Sequence, residues 1–328
     1  MTSGTVVILA PVDDVHALAV QKHVLQRQKP CFIVSTADYP AHLCLSDWIG
    51  GDDDGEIYLS KTGDVVRWAH IQGVWRRRIR NHNLPQELVD QYDQEVSRRD
   101  TRSGLDGFVL RLASQGTTVI NDPRLESPGL NKAYQLECAR AVGLGIPQTL
   151  ISNNETAVRS FVRALQEGGR KSVFKGFNCP RNFFIATQLF KEGDFDRLGA
   201  LEYAPAIFQE YVAGRNLRIT AVGDHLFAAE VILENQEAEY DWRLQHGNRV
   251  VPFVLDPKTT SAVHKLMARL GLIYGAIDLK LRSDGTPVFL EVNPWGQYLF
   301  VEIQTGQQIS AAIAMHLMAA ESQIGLAN

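Results

Sequence analysis

Strand-length apolar runs alternate with helical spacings through the first third of the chain. Thr5 to Ala10 is apolar after its first residue. Leu18, Ala19, Val24 and Leu25 recur at helical spacing within Val15 to Arg27, and Cys31 to Ser35 is a second short run. Strand, helix and strand in that order predict a β-α-β unit. A strand at Gly73 to Trp75, a polar helix over Gln86 to Arg102 continuing into Leu105 to Ala113, and a strand at Thr118 to Ile120 complete a parallel-sheet lobe ending near Asn121 to Pro128. No G-x-G-x-x-G turn follows its first strand, so the lobe carries no dinucleotide signature.

The pattern then changes. Asn131 caps a helix with Leu136, Ala139 and Val142 on one face and Gly143, Gly145 and Pro147 as its stop. Val158, Phe161, Val162 and Leu165 mark another from Asn154 to Gln166. Strands are expected at Gln148 to Ile151, Ser172 to Lys175, Phe183 to Gln188 and Ala206 to Tyr211. Two hairpins follow: Leu217 to Val222 turns at Gly223-Asp224 into Leu226 to Leu233, and Ala276 to Leu281 turns at Ser283-Asp284-Gly285 into Pro287 to Val292. Between them lies a helix opened by Asp256 and Pro257 and closed by Gly271, and Gly306 to Met318 reads as the terminal helix. A parallel lobe followed by antiparallel hairpins packed with helices is a mixed α/β and α+β class.

Composition narrows the function classes. A chain of 328 residues, 45% hydrophobic, can bury a full core in two or three coupled lobes. Its formal charge of −4 lacks the basic footprint of a nucleic-acid or anionic-membrane binder, so neither is an expected partner. No apolar run approaches the roughly 18 to 20 residues of a bilayer helix, and Met1 to Pro11 has no signal-peptide pattern, so the expected location is the cytoplasm. Cys31, Cys44, Cys138 and Cys179 show neither zinc nor redox spacing and are expected to be buried free thiols.

The last hairpin carries the strongest candidate chemistry. With its turn centred on Asp284-Gly285, antiparallel register sets Asp278 opposite Glu291, and Asn293 lies two residues on along the same face. Like charges facing each other across a sheet are destabilising unless a cation lies between them, and three hard oxygen donors suit magnesium. A solvent-facing hairpin whose acids happen to align is the alternative. Upstream, Lys132 opens a helix and Lys175 ends the apolar strand SVFK; a lysine at the end of a buried strand is costly unless an anion such as phosphate meets it, although either lysine can also be a plain surface charge.

The run FLEVNPWGQ, preceded by a strand bearing Asp278, resembles the metal end of the ATP-grasp superfamily. That resemblance implies an ATP-grasp fold with an N-terminal parallel-sheet lobe (1–123), a small central lobe (124–190) and a C-terminal antiparallel-sheet lobe with the metal site (191–328). It implies ATP and two Mg2+ ions as cofactors, with Asp278, Glu291 and Asn293 on the metals and Lys132 and Lys175 reaching the nucleotide. Gly176 to Asn182 becomes a loop over the phosphates, less glycine-rich than in many relatives, with Arg181 as a further phosphate contact. In AIFQEYV, the backbone of Glu210 and Val212 is implied at the adenine edge. Arg218 is expected to point at the phosphates as a bidentate fork. Arg243 is expected near the acyl-phosphate, with Asp241 orienting it, although an ion pair is the alternative for each arginine. Asn216 stands where many relatives have Asp.

At finer grain, VVILAPVDDVHALAV, VWRRR, NKAYQLECARAVGLGIPQTLISNN, YDWR and EVNPWGQYLFVEIQTGQQISAAIA resemble the microviridin-ligase type of ribosomal-peptide maturase, the graspetide synthetases. The implied activity is phosphorylation of Asp or Glu side chains on a leader-bearing precursor peptide and closure of ester or amide cross-links with Ser, Thr or Lys. Lys175, Arg218 and Arg243 would serve the chemistry. Trp75, Arg76 and Arg77, with Arg78, would receive an acidic peptide, a solvated basic edge being the alternative. A homodimer through the first lobe is a further expectation. The rival enzyme reading is a ligase of the RimK or glutathione-synthetase kind that adds a free amino acid, and the rival from another class is a silent binding module. His246 and His264 read as structural.

Overall fold

The protein is described here by a computed structural model covering residues 4–50, 55–177, 187–234 and 247–319. Four parallel strands, β1 (Thr5–Leu9), β2 (Cys31–Val34), β6 (Ile71–Trp75) and β7 (Thr118–Ile120), form a sheet in the order β2-β1-β6-β7. Along β1, Val6 and Ile8 face one cluster while Val7 and Leu9 face another, so both faces are covered, as parallel sheets require. Helix α1 (Val15–Gln26) lies on the first face and α2 (Gln91–Ser114) on the second. Asp14 caps α1 by accepting the His16 and Ala17 N–H groups, and Asp90 caps α2 likewise. The helix expected to start at Gln86 therefore starts at Gln91. Between β2 and β6 the chain builds a small antiparallel sheet of β3 (Leu43–Ser46), β4 (Glu56–Leu59) and β5 (Asp64–Arg67).

Next come α3 (Pro123–Gly129) and α4 (Lys132–Ala141), then a four-stranded sheet of β8 (Thr149–Ser152), β9 (Ser172–Lys175), β10 (Gln188–Leu189) and β11 (Ala206–Glu210), backed by α5 (Glu155–Glu167) and a 3-10 segment, Glu192–Glu202. The third sheet, in the order β14-β13-β12-β15-β16, is antiparallel and contains β12 (Arg215–Val222), β13 (His225–Ile232), β14 (Arg249–Pro252), β15 (Tyr274–Leu281) and β16 (Pro287–Asn293). Helices α6 (Pro257–Leu270), α7 (Leu299–Thr305) and α8 (Ile309–Met318) accompany it.

Contacts cross the expected lobe limits in two places. Strand β11, placed by sequence in the 191–328 lobe, pairs with β8 and β9 of the central sheet. Helix α4, placed in the 124–190 lobe, buries Leu136, Cys138 and Ala139 in the same core as Leu217, Ile277 and Phe289 of the third sheet. The expected terminal helix is α8, which begins at Ile309 and not at Gly306, because Gly306, with φ 73°, closes the preceding α7. Of the cysteines, Cys31 and Cys138 are buried free thiols, Cys44 is an exposed one, and Cys179 lies outside the described residues.

Helix α8 packs on the first sheet and also shares its core with Val222 and Tyr274 of the third. Its approach is close enough that a Cβ on Gly73 would lie 2.2 Å from the Leu317 carbonyl oxygen. At this junction sits His16, edge-on to Tyr298 with ring centroids 4.8 Å apart. Burial first, and then the Arg77 charge, push its pKa down to about 4 from 6.5, against the pull of Asp14. The folded chain thus holds His16 neutral, so its stabilising contribution is complete above the unfolded value and is lost as pH falls towards the folded one. Between about pH 7 and about pH 4.5 the wild type should lose on the order of 2 kcal/mol through this group, and His16→Gln should not. Urea midpoints of both proteins at the two pH values check this; equal losses would remove His16 as the cause.

Candidate active site

The hairpin of β15 and β16 brings Asp278 opposite Glu291, by a route the simple register did not contain. Near the turn the pairs are Leu281 with Pro287, Lys280 with Val288 and Leu279 with Phe289. Continued unchanged, they would set Leu290 opposite Asp278 and turn Glu291 to the core face beside Ile277. A bulge between Leu279 and Asp278 instead makes Leu290 the extra residue, so that Glu291 meets Asp278, Val292 meets Ile277 and Asn293 meets Ala276. Val292 and Phe289 then both enter the core, and the acids share the other face.

Each acid meets a base from a different element. Arg218 on β12 stands opposite Asp278 in register, donates Nη1 to its Oδ1 at 2.9 Å, and donates Nη2 to the Gln297 carbonyl at 3.0 Å. That reach depends on Gly296, where a Cβ would lie 2.2 Å from Ala276 Cβ and 3.0 Å from Arg218 Nη2. Glu291 Oε2 lies 3.5 Å from Lys132 Nζ and 3.9 Å from Lys175 Nζ. Asn293 accepts the Trp295 N–H on Oδ1 at 2.9 Å, which fixes the turn after β16. Among the described residues no three His, Cys, Asp or Glu side chains gather as a metal cluster. Two carboxylates and an amide oxygen are hard donors of the kind that would suit a cation completing its shell with water and phosphate oxygens.

Two supports of this hairpin escaped the sequence reading. Gln135 on α4 works as a substitute strand: its Nε2 donates to Val292 O at 2.9 Å and its Oε1 accepts Val292 N–H at 3.1 Å, three residues after Lys132. Buried Asn121 donates Nδ2 to the carbonyls of Tyr274 and Pro294 and accepts the Ile273 and Tyr274 N–H groups on Oδ1, tying both ends of the hairpin to the first lobe. Buried amides with such bonds are detectable in sequence only once the fold is known.

A cavity of about 60 Å3 lies beyond Lys175, lined by Glu210, Tyr211, Val212, Lys280 and Leu290 among others. The bulged Leu290 thus contributes to it. Glu210 pairs with Arg282 at 3.2 Å and Arg170 at 3.7 Å, and its N–H bonds Gln148 O at 2.8 Å. No backbone acceptor pairs with the Val212 N–H among the described residues. Lys280, which sequence reasoning passed over, is buried with its Nζ 5.9 Å from the Tyr211 ring centroid.

The basic strand end is mostly internal. Trp75 is buried and packs edge-on to Tyr274 inside the core. Arg76 Nη1 pairs with Glu126 Oε2 at 2.5 Å, both buried; burial keeps the Glu126 pKa above the usual carboxylate range, and Arg76 opposes that shift. Arg77 donates to the Trp295 carbonyl at 2.6 Å and lies 3.5 Å from Asp14. Exposed Arg78 and Arg102, with Asn293 and Trp295, join them around an open cavity of about 420 Å3 beside the paired acids. Asp241, Arg243, His246, Arg181 and most of the Gly176 to Asn182 loop lie outside the described residues.

Residues 5–123 match the model of the MvdD pre-ATP grasp domain. A probable alpha-L-glutamate ligase of Xanthomonas euvesicatoria pv. vesicatoria is 36% identical over 221 residues, 64% of this chain and 72% of that protein. The macrocyclase MdnC of Microcystis aeruginosa MRC, solved with its precursor peptide MdnA, superposes with a TM-score of 0.85 at 28% identity, covering 96% of this chain and 99% of that one. A RiPP-associated ATP-grasp ligase of Chryseobacterium gregarium, solved with ADP and a leader and core peptide, has the same fold, with a TM-score of 0.85 at 21% identity and 96% of each chain covered.

Proposed function

Because the chain belongs to the ATP-grasp ligases, we propose that it activates Asp or Glu side chains of a leader-bearing ribosomal precursor peptide and closes ester or amide cross-links with Ser, Thr or Lys. The observation that carries the reading is the convergence of Asp278, Glu291 and Asn293 with Lys132, Lys175 and Arg218 beside a cavity walled by Arg76, Arg77 and Arg78. The matched MvdD domain and the MdnC complex support a peptide as the carboxylate donor.

In this proposal Asp278, Glu291 and Asn293 would hold two magnesium ions, and the chemistry these would supply is neutralisation of charge on the triphosphate and the transferring phosphoryl group. Lys132 and Lys175 move from Glu291 to phosphate oxygens. The Glu210 carbonyl and the Val212 N–H take the adenine edge, with Lys280 and Leu290 as walls. The substrate carboxylate attacks the γ-phosphorus and ADP leaves. Arg218 and Lys175 stabilise the charge, and Arg243, together with Asp241, is assigned to the acyl-phosphate. A substrate hydroxyl or amine then displaces phosphate. No protein nucleophile is needed, because the acyl-phosphate is already activated; positioning and electrostatics suffice.

Leu290→Glu would set a carboxylate in the adenine cavity. It should raise the KM for ATP at least about tenfold while lowering kcat less, since a ground-state contact is lost; an unchanged KM would move the adenine elsewhere. The test of the function is the intact mass of a precursor peptide encoded beside this gene, after incubation with the protein, ATP and magnesium. Loss of one water per bond is expected. The glutamate-ligase relative favours a second reading, addition of a free amino acid, which would appear instead as a mass gain equal to that amino acid less water.

A further inference from the structure

The cationic surface continues past the reaction-site cavity. Ile79 and Arg102 line both that cavity and a second one of about 450 Å3, whose walls include Arg80, His82, Arg98 and Arg99. The segment from Arg78 to Arg80 is fixed beside the carboxyl ends of β1 and β2. The Arg78 N–H bonds Leu9 O at 3.0 Å, the Arg80 N–H bonds Thr36 Oγ1 at 2.8 Å, and the Thr36 hydroxyl donates back to Arg80 O at 2.9 Å. The sheet order reverses between β1 and β6, and the crevice beyond such a switch point is where open parallel sheets take ligands.

The charges in this cavity are unbalanced. Arg99 and Arg102 are each held at 2.7 Å by a carboxylate one helical turn away, Glu95 and Asp106. Arg80 and Arg98 pair with no carboxylate among the described residues, and no Asp or Glu lines the cavity. His82 has its pKa lowered by burial and then by Arg98, so near neutrality the site is a guanidinium cluster around a neutral ring. Converging guanidinium groups repel one another, and an anion with flat, forked acceptors relieves them; carboxylates are such anions.

We propose that this second cavity binds a further carboxylate-bearing stretch of the same peptide whose reacting carboxylate occupies the Arg78 cavity, an inference that rests on the peptide-ligase reading. With the cavities sharing Arg102, an acidic peptide lies across both. The far cavity selects substrates with several Asp or Glu side chains over those with one, and it holds the chain while successive carboxylates reach the site.

The probe is a fluorescein-labelled deca-glutamate peptide, titrated by anisotropy into the full chain at low salt, with mant-ADP and magnesium reporting separately on the nucleotide site. Wild type should bind the peptide. Arg80→Gln combined with Arg98→Gln should weaken it about tenfold or more, with mant-ADP affinity unchanged. Arg98→Lys alone should fall between them, keeping the charge and losing the fork. Equal peptide affinity in wild type and double variant, or no peptide binding by wild type, overturns the proposal and leaves the ligase reading standing. A deca-thymidylate oligonucleotide bound as tightly, and weakened equally by the two substitutions, overturns it in favour of a nucleic-acid site. Peptide binding that meets the expectations supports the cavity even if mant-ADP fails to bind, a result that counts against the ligase reading alone.

Discussion

Glu291→Gln is expected to lower turnover by at least about a thousandfold while leaving the fold intact. The substitution keeps the shape of the side chain and its place opposite Asp278, so the bulge and the packing of Phe289 and Val292 are unaffected. It removes one of only two carboxylates in the proposed cation site, and the charge that Lys132 and Lys175 face at 3.5 and 3.9 Å. Both lysines keep partial access to water, so their loss of a partner costs little stability. The measurement pairs ATP-dependent dehydration of the peptide, read by intact mass, with a urea midpoint. Turnover within tenfold of wild type would take Glu291 out of the site, and a large fall in the midpoint would make the effect structural.

Asn121→Ala is expected to cost about 4 kcal/mol of stability, a large effect for a polar residue. The side chain makes hydrogen bonds to four backbone groups, on Ile273, Tyr274 and Pro294, and is 1% exposed. Truncation leaves two N–H groups without their acceptor and two carbonyls without their donor, each costing about 1 to 3 kcal/mol when buried, with partial relaxation reducing the sum. Asn121→Asp should also be damaging, since it keeps the acceptor, loses both donors and buries a charge. Denaturant unfolding of the two variants decides this; a loss below about 1 kcal/mol for alanine would mean that water replaces the amide.

The parts legible in sequence were those set by local signals. The caps Asn131 and Asp256, the N1 proline Pro257 and the closing Gly271 stand where they were read, because capping is decided within four residues. The strand β9 and the pairing of Asp278 with Glu291 were also readable, although the bulge that secures the pairing was not. The small sheet β3 to β5 was missed for a physical reason: its four-residue strands bury little more than Leu43, Ile57 and Val66 while Tyr58 and Val65 stay exposed, too little alternation to recognise. The basic run at Arg76 and Arg77 read as a face for an acidic peptide or as a solvated edge; its partners Glu126 and Asp14 are far away in the chain, and only the fold makes those contacts internal. Arg218 lies between these cases. An arginine in an apolar strand demands a partner, and register makes that partner Asp278.

The pairing of Arg218 with Asp278, and of Lys132 and Lys175 with Glu291, has a thermodynamic consequence on the proposed assignment. The fold supplies counter-ions to its own ligand groups. A divalent cation arriving by itself would draw the two carboxylates from three bases and leave those bases facing one another. A triphosphate arriving by itself would draw off the bases and leave two carboxylates face to face. Arriving together, the two exchange partners with the protein and strand neither set. Metal and nucleotide should therefore bind as linked ligands, each raising the affinity for the other by the same factor, and the linkage should weaken as salt screens the charges.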